Sequence, residues 1–415
     1  MLIEFSVSNF RSFRDKQTFS MVAAPRLKKR GNVFKPDVKG EKLPDLLKVA
    51  AIYGPNASGK SNLIKALNIV RKIVYREPSS QFNPFPVAPF RFDPELADQP
   101  SCIELHFIFA GLRYQFELGL TEQRIVHERL LMFPQGKETL LYERRHLSTG
   151  DHYTFGEQLE GGDDLHKLWQ KATSPQVLFL AQAAANSSEK LKQLTPPLTW
   201  LQSGFLVIDG KGLENLKHYS QQQVEKFPAF SEGLAAFLQE VDVPIANIRT
   251  DKINLSSASL GLTDTKNIER KTLLTHRTEL GDIEFDFEDE SEGTKNLIGF
   301  WSAWDFHALA KRISPSVGAL VVDELDTSLH PEIVVSLVEK HINAASPAQL
   351  IFTTHSTHLM DAKLLRRDQF WLTERDANGA TQLRSIHDFA GREGEDLEKR
   401  YYEGRYRSLP FIRRG

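Results

Sequence analysis

Gly54-Pro55-Asn56-Ala57-Ser58-Gly59-Lys60-Ser61 fills every required position of the pattern G-x-x-x-x-G-K-S/T. Leu47, Val49, Ala50, Ala51, Ile52 and Tyr53 precede it as an apolar run of buried-strand type. Leu63, Ile64, Leu67, Val70, Ile73 and Val74 follow at mostly three- and four-residue spacing, with no proline or glycine between them, so the spacing predicts an amphipathic helix. Strand, glycine-bounded loop and helix together make the match a site rather than a coincidence. Gly54 and Gly59 allow backbone angles and a close approach that a side chain would block, which lets N–H groups at the helix start converge on phosphate. Lys60 is predicted to meet the β- and γ-phosphates of a nucleoside triphosphate, and the Ser61 hydroxyl to meet Mg2+. The whole segment Gly54 to Asn62 is the expected ATP contact.

A second apolar strand, Ala319, Leu320, Val321 and Val322, ends in Asp323 and Glu324. Asp323 is expected to hold the metal with Ser61, and Glu324 to orient or deprotonate the attacking water as a general base. Leu325-Asp326-Thr327-Ser328-Leu329-His330-Pro331 follows directly, and a third run, Leu350 to Thr354, ends at His355. Glu290-Ser291-Glu292-Gly293-Thr294-Lys295 opens a helical run with Leu297, Ile298, Phe300 and Trp301. Serine and glycine at a helix N-terminus favour an anion, because the first turn's N–H groups point outward and the dipole is positive there.

The order of these motifs resembles that of the ATP-binding-cassette ATPases, in the branch that contains the chromosome-maintenance and RecF-type proteins. The resemblance implies an α/β phosphate-loop NTPase of the cassette-head type, with an antiparallel β lobe and a helical insertion. It also implies a homodimer or a higher homo-oligomer in which Ser291 and Gly293 of one copy cap the γ-phosphate held by the other. By the same resemblance Asp326 runs along the dimer seam, and His355 joins Lys60 and Glu324 as a catalytic residue that senses the γ-phosphate. Asn9-Phe10-Arg11-Ser12-Phe13, after the alternating Ile3, Phe5 and Val7, is similar to the opening of RecF-type ATPases and places Arg11 and Ser12 near the nucleotide. The signature departs from the wider family in reading Ser-Glu-Gly, which leaves the acidic Glu292 beside an expected phosphate site. For the glutamine that couples metal to movement, Gln81, Gln115 and Gln123 all lie in the appropriate stretch and the residues do not choose among them.

The chain has 415 residues, 40% of them hydrophobic and 26% charged, enough for one large core or two smaller ones. Its net charge of −2 argues against wholesale nonspecific nucleic-acid binding. The short basic runs Arg26, Lys28, Lys29, Arg30 and Arg405, Arg407, Arg413, Arg414 read as solvated. The single cysteine, Cys102, excludes an internal disulfide and a cysteine-rich zinc site. No run has the length of a membrane span, so a cytoplasmic protein without membrane contact is expected.

Three parts are expected: 1–162 as the first half of the head with the loop and β lobe, 163–240 as the helical insertion, and 241–415 as the second half with the signature. Ile103, Leu105, Phe107, Phe109 and then Tyr114, Phe116, Leu118, Leu120 alternate around Gly111 as a hairpin. Prolines at 175, 196, 197 and 228 break the helical stretch, so no long coiled coil is expected, and its faces Leu165, Leu168, Trp169, Leu178 and Leu180 must be covered, either by a docked partner or by the head itself.

The opening residues, Glu-Ser-x-Gly-Thr, Asp-Glu-Leu-Asp and Tyr401-Tyr402-Glu403-Gly404-Arg405-Tyr406 together resemble the bacterial AAA-type, RloA-like ATPases of anti-phage systems such as Septu and PARIS and of overcoming-lysogenization-defect nucleases. After His355 only 60 residues follow, with Asp361, Asp368, Glu374 and Asp376 scattered, so an effector nuclease or toxin is expected to be a separate protein. The trigger implied is DNA or a phage protein. Two other function classes fit the same motifs: a RecF-like ATPase that clamps DNA, and a nucleotide-gated scaffold with little hydrolysis, which Glu324 disfavours.

Overall fold

Val49–Tyr53 is buried along its whole length because it is an inner strand of a parallel sheet, which is what an unbroken apolar run without polar alternation requires. The computed structural model describes residues 1–77, 83–188, 190–254, 268–313, 318–344, 348–360, 364–392 and 394–409. Gln81, Asp361, Arg413 and Arg414 lie outside the described residues. The chain forms two units, Met1–Val207 with Ser314–Leu325 and Leu337–Gly415, and Ile208–Ile313 with Asp326–Ser336.

In the first unit, six strands run in the order Phe205–Ile208, Ala319–Val322, Gln349–Thr353, Val49–Tyr53, Phe370–Arg375 and Thr381–Ser385. The strands from Ala319–Val322 to Phe370–Arg375 are mutually parallel, and Thr381–Ser385 turns back antiparallel. Gln349–Thr353 therefore separates the strand that ends in the glycine-rich loop from the strand that ends in Asp323. A second, antiparallel sheet has seven strands in the order Gly150–Phe155, Thr139–Leu147, Ile125–Phe133, Leu112–Leu120, Ser101–Phe109, Leu2–Ser8 and Gln17–Ser20. Its middle contains the hairpin expected from the alternation around Gly111.

Helix Lys60–Val74 packs within one core shared by both sheets: Leu63, Leu67 and Val70 join Ala50, Ile52 and Ile351 of the parallel sheet and Phe5, Leu105 and Phe116 of the antiparallel one. The period-3.6 stripe of the helix is what places those side chains on an inward face.

The helical stretch 163–240 is divided between the two units. Helices Gly162–Ala172, Phe179–Ala185 and Thr195–Ser203 belong to the first, where Trp169, Leu178, Phe179, Leu180 and Trp200 enter the same core. Trp200 stacks on Phe107 with ring centroids 3.9 Å apart. Trp169, Leu178 and Leu180 are thus core residues and not a docking face; of the residues expected to be covered by a partner or by the head, Leu168 is the exposed one. A buried polar network fastens this helical layer. Glu128 accepts the N–H groups of Phe179 and Leu180 at 2.8 and 3.0 Å and the Tyr142 hydroxyl at 2.7 Å. Arg144 lies 3.9 Å from Glu128 and donates to the carbonyls of Val177 and Ser174. Burial pushes the Glu128 carboxyl and the Tyr142 hydroxyl above their ordinary ranges.

In the second unit, helices Gly210–Lys226 and Pro228–Glu240 accompany a three-stranded antiparallel sheet, Ile245–Asn254, Ile268–Thr278 and Gly281–Asp286. Phe287 starts a short 3-10 turn directly after the last strand. Helix Glu292–Ile313 packs against the first of the helices through Ser220, whose hydroxyl bonds Ser302 Oγ at 2.6 Å, and its Trp301 stacks on Phe237. Among the described residues no helix is long and apolar enough to cross a membrane.

Candidate functional site

The loop Gly54–Gly59 leaves its strand and enters helix Lys60–Val74 through Gly59, which takes a left-handed φ of 109° and carries no side-chain cap. A Cβ at Gly59 would collide with Thr381 and Ser12, and one at Gly54 with Thr373 and Ser58, so both glycines are required by packing as well as by backbone angle. Ala57 also has positive φ, 61°. Lys60 folds its ammonium back over the loop, donating to the Gly54 carbonyl at 2.8 Å and to that of Pro55 at 3.3 Å. An uncapped helix start with a lysine over it is a receptor for phosphate oxygens.

Three threonines that the sequence did not single out complete the loop's surroundings. Thr373 Oγ1 is 2.5 Å from Ser58 Oγ and donates to the Tyr53 carbonyl at 3.1 Å. Thr381 Oγ1 is 2.8 Å from both the Ser58 carbonyl and Ser12 Oγ, and Asn62 Nδ2 donates to Ser12 Oγ at 2.8 Å. The third, Thr353, stands at the end of the intervening strand, where one polar residue after an apolar run was the available signal.

Ser61 Oγ donates to Asp323 Oδ1 at 3.2 Å, and Thr353 Oγ1 donates to the same oxygen at 2.7 Å. Ser61 and Asp323 supply hard oxygens of the kind Mg2+ prefers, so this pair fits the ion that accompanies a nucleoside triphosphate. Glu324, the next residue, is exposed and left-handed with φ of 58°, a conformation that costs a non-glycine residue about 1 kcal/mol or more.

His355 follows strand Gln349–Thr353, two residues beyond Thr353, and is exposed. It lines a cleft of about 910 Å³ with Gly54, Pro55, Asn56, Arg375 and Tyr402. Thr357, two residues on, donates to Glu398 at 2.5 Å and bonds the Tyr402 hydroxyl at 3.1 Å, which ties the His355 turn to helix Leu397–Tyr402. Asp368, Glu374 and Asp376 do not converge: each has its own basic neighbour, Arg366, Arg384 and Arg14 respectively.

Of the opening pair, Ser12 reaches the loop. Arg11 is exposed, with its guanidinium 5.6 Å from the centre of the Phe10 ring and its N–H bonded to the Ala88 carbonyl. Gln115 is spent on Glu104 and Glu117 within the antiparallel sheet, and Gln123 is in an exposed turn.

In the second unit, Ser291 caps helix Glu292–Ile313 by accepting the Thr294 N–H at 3.1 Å. A Cβ on Gly293 would stand 2.6 Å from the Ser328 carbonyl oxygen, and Asn296 donates to the Thr327 carbonyl at 3.0 Å. The signature glycine is therefore what allows the Asp326–Ser328 turn to lie against the helix start. Glu292, expected beside a phosphate, is turned to bases: it lies 3.2 Å from Lys217 and 3.7 Å from Lys295. The Lys217 ammonium holds its carboxyl below the usual carboxylate range.

A glycine-bounded loop between an inner parallel strand and its helix, with Asp323 two strands away and an antiparallel β lobe over the helix, defines an α/β phosphate-loop NTPase of the cassette-head type with a helical insertion. The chain belongs to the family described as "AAA domain, putative AbiEii toxin, Type IV TA system", whose profile matches residues 49–361. Among solved structures it is similar to the SMC head domain from Thermotoga maritima, with 16% identity and a TM-score of 0.41, covering 92% of this chain and 98% of that one. It is also similar to an SmcHead bound to the C-winged helix domain of ScpA, with 12% identity and a TM-score of 0.43, covering 92% and 97% of the two chains. No curated protein matches it.

Proposed function

We propose that this chain hydrolyses ATP between two copies of itself and uses that cycle to govern a separate effector, a nuclease or toxin, in defence against phage. The observation that carries the ATPase reading is the convergence of Ser61 and Thr353 on one carboxylate oxygen of Asp323 beside the loop, with Glu324 next in sequence. In this reading the N–H groups of the loop and Lys60 hold the phosphates. Mg2+, held by Ser61 and Asp323, would neutralise charge on the β- and γ-phosphates. Glu324 takes a proton from the attacking water, and His355 faces the γ-phosphate. Ser291 and Gly293 of the second copy close the site, with Asp326 along the seam. What supports the defence role is the family description, which names a toxin of a toxin–antitoxin system. DNA or a phage protein would serve as the trigger, and the protein would work in the cytoplasm.

Glu324→Gln tests the central claim. The amide keeps the size of the side chain but has no basic oxygen, so hydrolysis falls at least about 100-fold while ATP stays bound. Size-exclusion chromatography of that variant with ATP and Mg2+ then shows a stable dimer that ADP does not support. Parental hydrolysis by Glu324→Gln removes Glu324 as the base, and a monomer with ATP removes the sandwich.

A further inference from the structure

Thr353 has no exposed surface, although it is a polar residue at the end of an inner strand. Its strand lies between the loop strand and the strand of Asp323, paired so that Phe352 faces Val322 on one side and Ala51 on the other. One residue further, the Thr353 hydroxyl is committed in both directions. It donates to Asp323 Oδ1 at 2.7 Å and accepts the Glu324 N–H at 2.7 Å. A hydroxyl has one proton to give, and this geometry spends it on Asp323 while a lone pair receives the Glu324 N–H. The same threonine also offers its carbonyl to the Leu325 N–H at 3.0 Å. Three consecutive residues, Asp323, Glu324 and Leu325, are thereby fixed by one residue of the neighbouring strand.

We propose that Thr353 is the positioning residue of the hydrolytic centre: its hydroxyl aims Asp323 at Ser61 and pins the left-handed backbone of Glu324. This rests on the ATPase reading above. The two bonds have separate consequences. Without the donor, Asp323 Oδ1 keeps Ser61 but loses the bond that fixes its rotamer, so an ion shared by Ser61 and Asp323 meets a less ordered ligand. Without the acceptor, the Glu324 N–H is left without its hydroxyl partner, and the left-handed turn that presents the Glu324 carboxylate is no longer held. Outer partners of metal ligands act in this way and their loss typically costs about 10- to 100-fold in metal affinity or activity.

Thr353→Val keeps the shape and removes the hydroxyl; Thr353→Ser keeps the hydroxyl and removes the methyl. Each is titrated with a fluorescent N-methylanthraniloyl ATP in EDTA and again in Mg2+, and its hydrolysis is followed against Mg2+ concentration. In EDTA the parent and Thr353→Val bind alike, since the loop and Lys60 are untouched. The tightening produced by Mg2+ in the parent is reduced about 10-fold or more in Thr353→Val. The Mg2+ concentration for half-maximal rate rises and kcat falls, and KM for ATP in Mg2+ rises with the lost tightening. Thr353→Ser recovers most of both, which a role confined to core packing does not predict. If Thr353→Val does not fold, Thr353→Ala against Thr353→Ser makes the same comparison. Parental Mg2+ response and kcat in the hydroxyl-free variant overturn the proposal and leave the ATPase reading standing. A parent that neither hydrolyses ATP nor responds to Mg2+ overturns both.

Discussion

Thr381 Oγ1 lies 2.8 Å from Ser12 Oγ, and the two residues close around the glycine-rich loop from opposite ends of the chain. Ser12 also accepts from Asn62, in the first turn of the loop's helix. The loop is consequently braced by side chains from outside it, a supporting layer for its N–H groups.

Ser12→Ala removes two of these bonds at once. Each neutral bond of this kind contributes about 1 kcal/mol net, so the dissociation constant for the N-methylanthraniloyl ATP rises by roughly 5- to 30-fold. Lys60→Ala abolishes binding in the same titration. Equal affinity in Ser12→Ala and the parent shows that the loop keeps its shape without this brace.

Ser291→Arg leaves the loop intact, and nucleotide binding to an isolated subunit is expected to remain near the parental level. In the proposed sandwich the arginine would obstruct the γ-phosphate site of the other copy, so hydrolysis is expected to fail. Mixing Ser291→Arg with Lys60→Ala restores at most one composite site per dimer, and a steady-state phosphate-release assay reads that partial recovery. Normal hydrolysis by Ser291→Arg alone excludes the exchange of signatures between copies.

Arg144→Met takes the cation from between two acids of the first unit, unpairing Asp151 at 2.8 Å and leaving buried Glu128 without its neighbour at 3.9 Å. Breaking a buried ion pair on one side costs about 3–5 kcal/mol, read as a lower urea midpoint. The double variant with Glu128→Leu recovers this only in part, because the N–H groups of Phe179 and Leu180 lose their acceptor as well.

Glu104 supplies a pH test. A hydrogen bond from His106, with Lys16 in support, holds its carboxyl down to about 2 from an ordinary 4.5. The folded value lies below the unfolded one, so its contribution to stability is complete above the ordinary value and is lost as pH falls towards about 2. The difference in urea midpoint between the parent and Glu104→Gln is therefore larger at neutral pH than at about pH 3, and a constant difference contradicts the assignment.

The parts legible in the sequence were those with a local signature. Gly54 to Ser61 announced the loop because its backbone demands are met within eight residues. The alternation from Ile103 to Leu120 announced the hairpin because a sheet with one buried face repeats every second residue. Thr353, Thr373 and Thr381 were not legible as site residues, since an isolated threonine carries no pattern and each gains its role from a partner far along the chain. Trp169 and Leu180 stayed open between core and docking face for the opposite reason. An apolar helical face states that it must be covered but not by what, and here the covering surface is the chain's own antiparallel sheet.

The bond between Ser12 and Thr381 spans 369 residues, which bears on how the protein is made. A ribosome adding about 5–20 residues per second needs roughly twenty seconds to more than a minute to travel from one to the other. For most of that interval the eight-residue motif exists in the nascent chain, but the strands Phe370–Arg375 and Thr381–Ser385 that brace it do not. The ability to capture nucleotide thus arrives late in synthesis, after nearly all of the apolar core has emerged, and an interrupted chain carries the motif without the grip.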